Sequence, residues 1–118
     1  MMRKSVLAMV LIIAIPLVAS AGSLTGTWTG DDGGKAYIRQ TGGEIFWYGE
    51  DADSTPSYSH VAYGKRSGNR VILNWADVPK GGVLQSGILV LRITNNDDTL
   101  TATIKTGGFA NTTWTRNP

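Results

Sequence analysis

Few residues in this sequence could carry out catalysis. It contains one histidine, His60, and no cysteine, so a thiol nucleophile is excluded and a histidine-dependent triad would have to use His60. No G-x-S-x-G elbow accompanies this histidine, and the glycine pairs lie between strand patterns rather than before helices that could bind phosphate. Zinc sites need several histidine or cysteine ligands. We therefore expect a protein that is not an enzyme and holds no metal or cofactor, with His60 an ordinary side chain of a strand.

An acidic segment could in principle bind calcium or hydrolyse a glycosidic bond. Its sequence is Glu50-Asp51-Ala52-Asp53-Ser54-Thr55. Two aspartates two positions apart could present oxygens to calcium, but the glycine and the distal glutamate of a calcium loop are missing. The same carboxylates could be imagined as a glycosidase pair, yet one flexible loop is a poor support for two groups that must flank a bond. We expect a solvated loop here.

Aromatic residues are the stronger lead to a binding site. The four tryptophans are Trp28, Trp47, Trp75 and Trp114, and each large aromatic side chain buries about 150–250 Å². Trp28 and Trp114 are predicted to fill the core, because they lie on the first and last predicted strands. Trp47 and Trp75 are the candidates for a pocket wall. The few polar groups that a ligand pocket needs would come from Tyr37, Arg39 and Tyr48.

The amino-terminal segment predicts export. Met1-Met2-Arg3-Lys4 is followed by an apolar run, 6–15, and by small residues at Ala19 and Ala21, an order typical of a secretory signal peptide. The apolar run is too short for a membrane span, and a lipoprotein anchor would need a cysteine. We predict a signal peptide over 1–21, a single domain over 22–118, and a secreted (periplasmic or extracellular) protein without a membrane anchor.

The charge of the predicted mature domain argues against a nucleic-acid partner. The whole chain has 11 basic and 9 acidic residues, and removal of Arg3 and Lys4 leaves nine of each. Nucleic acids and anionic membranes select proteins with a basic excess, which this domain lacks.

The elements that must position these side chains are short strands. Apolar and polar residues alternate between Gly, Asp and Asn turn signals, which predicts an all-β fold of eight antiparallel strands in an up-and-down meander. The predicted strands are 24–30, 35–40, 44–49, 58–65, 70–78, 86–94, 99–106 and 111–116. A closed barrel is favoured because closure removes both exposed edges, and a two-sheet sandwich is the alternative.

The distribution of apolar residues over the two faces is informative in two of the predicted strands. In the seventh, Leu100, Ala102 and Ile104 are predicted to face the interior, opposite a threonine-rich face. The sixth is apolar on both faces, with Ile88 and Val90 on the predicted outer side, so a homo-oligomer through this strand is a second-ranked expectation.

The opening Leu24-Thr25-Gly26-Thr27-Trp28 resembles the first strand of the avidin and streptavidin family and the Gly-x-Trp opening of lipocalins, both members of the calycin group of ligand-binding barrels. The resemblance implies that a basic residue near the last strand, Arg116, packs over Trp28. Gly30 stands where avidins place a polar side chain that contacts biotin, and Gly34 stands where they place a serine of the first turn, so biotin is not the expected ligand. The stretches 37–50 and 75–79 also resemble small secreted proteins of unassigned function.

Two functions follow as hypotheses. The first is a secreted barrel that binds a small apolar or aromatic ligand through Trp47, Trp75, Tyr37, Arg39 and Tyr48. The alternative is an extracellular or envelope module that binds a protein or polysaccharide through an exposed aromatic strand face. Asn111-Thr112-Thr113 also matches the N-glycosylation acceptor pattern.

Overall fold

The computed structural model describes residues 22–118, so the predicted signal peptide over 1–21 lies outside the described residues. The described chain forms eight strands whose bounds lie within two residues of the predicted ones. They are β1 (Gly26–Gly30), β2 (Lys35–Thr41), β3 (Glu44–Glu50), β4 (Ser59–Ser67), β5 (Arg70–Asp77), β6 (Ser86–Thr94), β7 (Thr99–Lys105) and β8 (Thr113–Arg116). Across 22–118 there is no helix with the length and apolarity to cross a membrane.

Each strand pairs antiparallel with the next, and β8 pairs with β1 through Thr29 opposite Thr115. The result is a closed barrel, which confirms the predicted all-β meander and shows that the sandwich alternative is wrong. Closure supplies every strand with two antiparallel neighbours over at least part of its length, which removes the two full edges that an open sheet would expose.

The two ends of the barrel differ in their connections. Short turns over 42–43, 68–69 and 95–98, together with the chain ends at 22–25 and 117–118, form what we call the hairpin end. Gly42 and Gly68 adopt φ of 61° and 62°, as two-residue hairpin turns require. The turn over 31–34 and the three longer loops, 51–58, 78–85 and 106–112, form the four-loop end. Long loops supply most side chains for binding, so the four-loop end is the better place for a site.

The barrel interior is packed with large apolar side chains. Trp28 and Trp114 are fully buried, as predicted, and Trp47 meets Trp114 edge to face at 5.3 Å between ring centroids. On β4 the small Ala62 is in register with Trp47 on one side and Trp75 on the other. A small residue between two indoles leaves room for both of them, so the middle of the barrel is a filled core rather than a cup.

One predicted core residue lies on the wrong face. Leu100 is buried and Ala102 packs against the core, but Ile104 is 50% exposed. The register shifts between Val90 and Leu91 of β6, where the opposing residues change from Ile104 to Ala102. The extra residue on β7 forms a β-bulge, and a one-residue slip moves all later side chains to the opposite face. The prediction for Ile104 was therefore wrong, because strict alternation does not hold across a bulge.

The hairpin end is closed by two arginines. The Arg116 guanidinium lies 4.6 Å above the centre of the Trp28 ring, the packing that the calycin resemblance implies. Arg66 forms a two-pronged ion pair with Asp97, at 3.0 and 3.1 Å, and also donates to the Gly22 carbonyl. Both arginines tie the chain segment before β1 to the turn between β6 and β7, so this end offers no entrance to the core.

Candidate functional site

The structure separates the five residues predicted to bind a ligand. Tyr37, Arg39 and Tyr48 project from the outer surface of β2 and β3, whereas Trp47 and Trp75 are buried inside the barrel. Alternation along a strand places neighbouring side chains on opposite faces, so the Trp47 side chain points into the barrel and the Tyr48 side chain points outward. Of the five, only Trp75 borders a cavity that reaches into the four-loop end.

This cavity has a volume of about 180 Å³. It lies above Trp75, where the ends of β4 and β5 meet the loops 78–85 and 106–112. We call this space the end cavity. Its main lining side chains are Tyr58, His60, Trp75, Asp77, Phe109 and Asn111. Aromatic rings thus form most of the wall, and a few polar groups converge on it, as is usual for a small-molecule site.

The rings of the end cavity pack in fixed geometry. Tyr58 stacks on His60 at 5.7 Å between centroids with an interplanar angle of 14°. Phe109 stands edge-on to both His60 and Trp75, each at 4.8 Å. Offset and edge-to-face arrangements of this kind add about 0.5–1.5 kcal/mol per pair to simple burial, so the walls are held in place without a ligand.

His60 is a buried, neutral imidazole. Its exposed fraction is 3%, and its Nε2 accepts a hydrogen bond of 3.0 Å from Trp47 Nε1. Burial lowers the pKa of His60 to about 4, with only a small opposing effect of the Asp32 carboxylate. A Cβ at Gly49 would overlap His60 Nε2, so the glycine makes room for the ring. Since Nε2 is the acceptor, the neutral ring carries its proton on Nδ1.

Tyr58 and Asn111 form a polar network at the rim of the end cavity. The Tyr58 hydroxyl donates to Asp32 Oδ2 at 2.9 Å and accepts from Asn111 Nδ2 at 3.3 Å. Asn111 Oδ1 accepts from the backbone N–H of Asp32. Burial and the Asp32 carboxylate raise the pKa of Tyr58 well above its ordinary value, so the phenol stays protonated. Asn111 is buried in this network rather than presented as a free glycosylation acceptor.

The same network explains the two glycines that depart from the avidin pattern. A Cβ at Gly34 would lie 2.7 Å from the Tyr58 hydroxyl, and one at Gly30 would lie 2.8 Å from Asn111 Oδ1. Side chains from the loop before β8 (Asn111) and from the loop before β4 (Tyr58) therefore occupy the space that larger residues at positions 30 and 34 would need.

Carboxylates outnumber cations at the four-loop end. By position in the fold, the acidic side chains there are Asp31, Asp32, Glu50, Asp51, Asp53 and Asp77, and the basic ones are Lys35, Lys80 and Lys105. Lys80 is paired with Glu50 at 3.0 Å, which lowers the pKa of that carboxyl. No Lys or Arg side chain borders the end cavity within residues 22–118. Asp77 does border it, and its carboxylate accepts only the backbone N–H of Gln85 among the described residues.

The acidic loop is organised around Asp51. Its Oδ2 accepts from the hydroxyl and backbone N–H of Ser57, and its Oδ1 accepts from the backbone N–H of Asp53. These bonds, the Ser57 hydroxyl first, lower the pKa of Asp51. The carboxylate thus serves to hold the loop. In the part of the chain that the structure describes, no three His, Cys, Asp or Glu side chains are grouped in a way that could hold a metal ion.

A second surface lies on the outside of the barrel. Tyr37, Phe46 and Tyr63 are 46%, 43% and 45% exposed, and together with Tyr48 and Val61 they form what we call the outer aromatic face. Tyr37 stacks on Tyr48 at 6.4 Å, and Phe46 meets Tyr63 at 5.1 Å. These residues border an open groove of about 730 Å³. Four of the predicted ligand residues border this groove: Tyr37, Arg39 and Tyr48 lie on the outer surface, and Trp47 borders it although its side chain is buried in the core.

Sequence reasoning missed most of the end cavity. Tyr58, Phe109 and Asn111 lie in or next to loops, where no alternation pattern indicates which way a side chain points. One available signal was the segment Tyr58-Ser59-His60, in which the only histidine of the chain follows the longest polar loop. The other residues come together only through closure of the barrel.

Fold and site together define the class: a closed eight-stranded antiparallel barrel with a filled middle and a small aromatic cavity at one end, an architecture compatible with a calycin-like fold. Comparisons with protein-family models, with curated proteins and with solved structures find no match for this chain.

The buried histidine predicts acid sensitivity. Because the pKa of His60 is about 4 in the folded state and 6.5 in the reference state, the unfolded chain binds more protons between these values. Stability should therefore fall as the pH drops, by about 2 kcal/mol between pH 7 and pH 5. Urea denaturation of residues 22–118 across this range measures the effect.

The control for this measurement is His60→Gln, which keeps an acceptor for Trp47 Nε1 but does not titrate. Its stability should change far less over the same range, whatever its absolute value at pH 7. Glu50 and Asp51 have lowered pKa values, so their contributions are lost only at more acidic pH. If the free energy of unfolding changed equally with pH in the wild type and in His60→Gln, the assignment of the effect to His60 would be wrong.

Proposed function

We propose that residues 22–118 are a secreted, calycin-like barrel that binds a small molecule in the end cavity. The observation that carries the proposal is the cavity itself, in which four aromatic rings, the Asn111 amide and the Asp77 carboxylate converge at the four-loop end. The packing of Arg116 over Trp28 at the hairpin end supports the calycin comparison. Export is supported by the basic, apolar and small-residue order of the first 21 residues.

The size of the end cavity limits the ligand. At about 180 Å³ it is smaller than the 300–1,000 Å³ usual for drug-sized compounds, so the expected ligand is correspondingly small. Biotin remains disfavoured, because Gly30 and Gly34 carry no side chain to contact it and their space is taken by Asn111 and Tyr58.

A binding role fits the chemistry of the end cavity better than catalysis. The Nε2 of His60 is occupied by Trp47 Nε1, and the low pKa keeps the ring from acting as a base near neutrality. Tyr58 is held protonated by Asp32. We accordingly propose a protein that is not an enzyme and that has no nucleic-acid partner.

The proposal is tested by thermal unfolding of residues 22–118 with a panel of indole, decanoate, choline and chitohexaose. A compound present at 100 times its Kd adds about 2.7 kcal/mol to stability. Since each kcal/mol raises Tm by about 4–8 °C in a domain of this size, we expect a rise of about 10 °C or more for one class.

Two matched variants locate the binding. Val83→Trp adds bulk at the end cavity, and Val61→Trp adds the same bulk on the outer aromatic face; the two valines are similarly exposed. The rise in Tm should be lost in Val83→Trp and kept in Val61→Trp. A flat response of the wild-type domain to every small compound of the panel would overturn the proposal.

The outer aromatic face favours a second candidate, an interaction module for a protein or polysaccharide. Exposed aromatic side chains on a rigid sheet offer flat apolar contact surface, and contiguous patches of this kind often mark binding surfaces. A rise in Tm with chitohexaose that is lost in Val61→Trp and kept in Val83→Trp would support this candidate instead.

A further inference from the structure

We infer that the end cavity takes a small organic cation, an ammonium compound that also carries an oxygen acceptor. The inference rests on the proposed ligand-binding function and names the chemical class of its ligand. Three features of the cavity carry it: the arrangement of the aromatic walls, the sign of the charges around them, and one ring N–H without a partner.

The walls form an aromatic box. Tyr58, His60, Trp75 and Phe109 all border the space and pack against one another, with neighbouring centroids 4.8–6.3 Å apart. The edge-on contacts of Phe109 with His60 and Trp75 turn the rings in different directions, so that several of them can contact one compact group. An ammonium within about 6 Å of such rings is attracted by their negative faces.

The charged side chain that borders the box is a carboxylate. Asp77 borders the cavity, and its carboxylate accepts a single backbone N–H within 22–118. Asp32 lies behind Tyr58 and accepts the phenol proton and the backbone N–H of Gly34. Lys80 is paired with Glu50, and Lys105 donates to the Thr112 hydroxyl and to the carbonyl of Ala110, but neither lysine side chain borders the cavity. An anionic ligand would meet unpaired carboxylates, whereas a cation would neutralise them.

His60 favours a ligand that carries a hydrogen-bond acceptor. The imidazole is 97% buried and borders the cavity, and its Nε2 accepts from Trp47. The proton is therefore on Nδ1, which has no hydrogen-bond acceptor among residues 22–118. A buried donor without a partner is unfavourable by about 1–3 kcal/mol, so a ligand oxygen that accepts this hydrogen bond would be favoured. A neutral His60 also avoids repulsion of the cation.

The test uses three compounds of nearly equal shape: choline, its neutral isostere 3,3-dimethylbutan-1-ol, and the anion 3,3-dimethylbutanoate. Their Kd values are measured by calorimetry with residues 22–118 at pH 7. Choline should bind about tenfold or more tightly than the alcohol, and the anion weakest of all. Equal binding of choline and the alcohol, or a preference for the anion, would overturn the inference.

Asp77→Asn isolates the contribution of charge. The asparagine oxygen still accepts from the Gln85 N–H, so the loop stays anchored while the charge is removed. Choline should bind about tenfold more weakly to this variant, with binding of the alcohol unchanged. The matched control is Asp53→Asn, an exposed residue of the same end that does not border the cavity. A loss of choline affinity that is the same in both variants would contradict a local role of Asp77.

Failure of the ligand-binding function and failure of the cationic ligand class give different results. If indole or decanoate binds in the end cavity and choline does not, the cationic class is wrong and the ligand-binding function stands. If no compound of either set changes the Tm or gives heat of binding, both are overturned.

Discussion

Replacement of Arg116 by methionine should lower the free energy of unfolding of residues 22–118 by about 3–4 kcal/mol, because this side chain is one of the two that close the hairpin end. Its Nη1 donates to the Thr25 carbonyl at 2.9 Å, and its Nη2 donates to the carbonyls of Ser23 and Asp97 at 2.7 and 2.8 Å. Methionine leaves these carbonyls without their charged donor. It also removes the cation from the Trp28 ring, although it retains apolar contact.

The ion pair of Arg116 with Asp98 adds little to this effect. The Asp98 side chain is 57% exposed, and solvent screens such pairs to about 0–1 kcal/mol. Urea denaturation measures the loss, with Asp98→Asn as a control that should stay within about 1 kcal/mol of the wild type. Arg116→Lys should retain less than half of the stability that Arg116→Met loses, because an ammonium group cannot donate to three carbonyls in the planar geometry of a guanidinium. If methionine and lysine were equivalent to arginine, the assigned role of Arg116 would be wrong.

Gly64→Ala should destabilise the domain by about 3 kcal/mol or prevent folding, because the interior side of β4 has no space for a methyl group. A Cβ at this position would overlap the backbone carbonyl of Ile72 on the neighbouring strand. Gly64 is paired with Leu73 in the ladder, and both are buried. The methyl group could be accommodated only if β4 and β5 separated, which would break hydrogen bonds of the barrel wall.

The control for this prediction is Gly82→Ala, in the loop between β5 and β6. Nothing lies within 4 Å of a Cβ there, and the residue has no positive φ. Its stability should be within about 0.5 kcal/mol of the wild type. Thermal and urea unfolding of both variants, with circular dichroism to confirm the β fold, measures the difference. Similar stability of the two alanine variants would show that the wall at Gly64 is looser than the structure indicates.

The filled middle of the barrel bears on how such a protein could bind anything. Ala62 lies between Trp47 and Trp75, and Trp114 packs against Trp47, so no continuous cup runs along the axis. A ligand would then have to bind outside the middle of the barrel, and the end cavity and the outer aromatic face are the two proposed places. The Val83→Trp and Val61→Trp pair separates these two surfaces within one fold.

Much of the architecture could be predicted from local pattern. Alternation of apolar and polar residues, with Gly, Asn and Asp at the turns, located all eight strands to within two residues. The positions of Trp28 and Trp114 on the first and last strands indicated that both would be buried where the barrel closes, and they are. Such features depend on period and turn chemistry, which are properties of short segments.

Tertiary structure alone decided which aromatic residues share a site. The bulge between β6 and β7 turned Ile104 outward, and no composition signal marks it. The contact of Phe109 with His60, 49 positions earlier in the chain, exists only because the loops after β3 and β7 meet at the same end of the closed barrel. By itself the sequence determined the strands, the turns and the absence of cysteine chemistry. Register and closure determined the end cavity, because they fix which distant side chains come into contact.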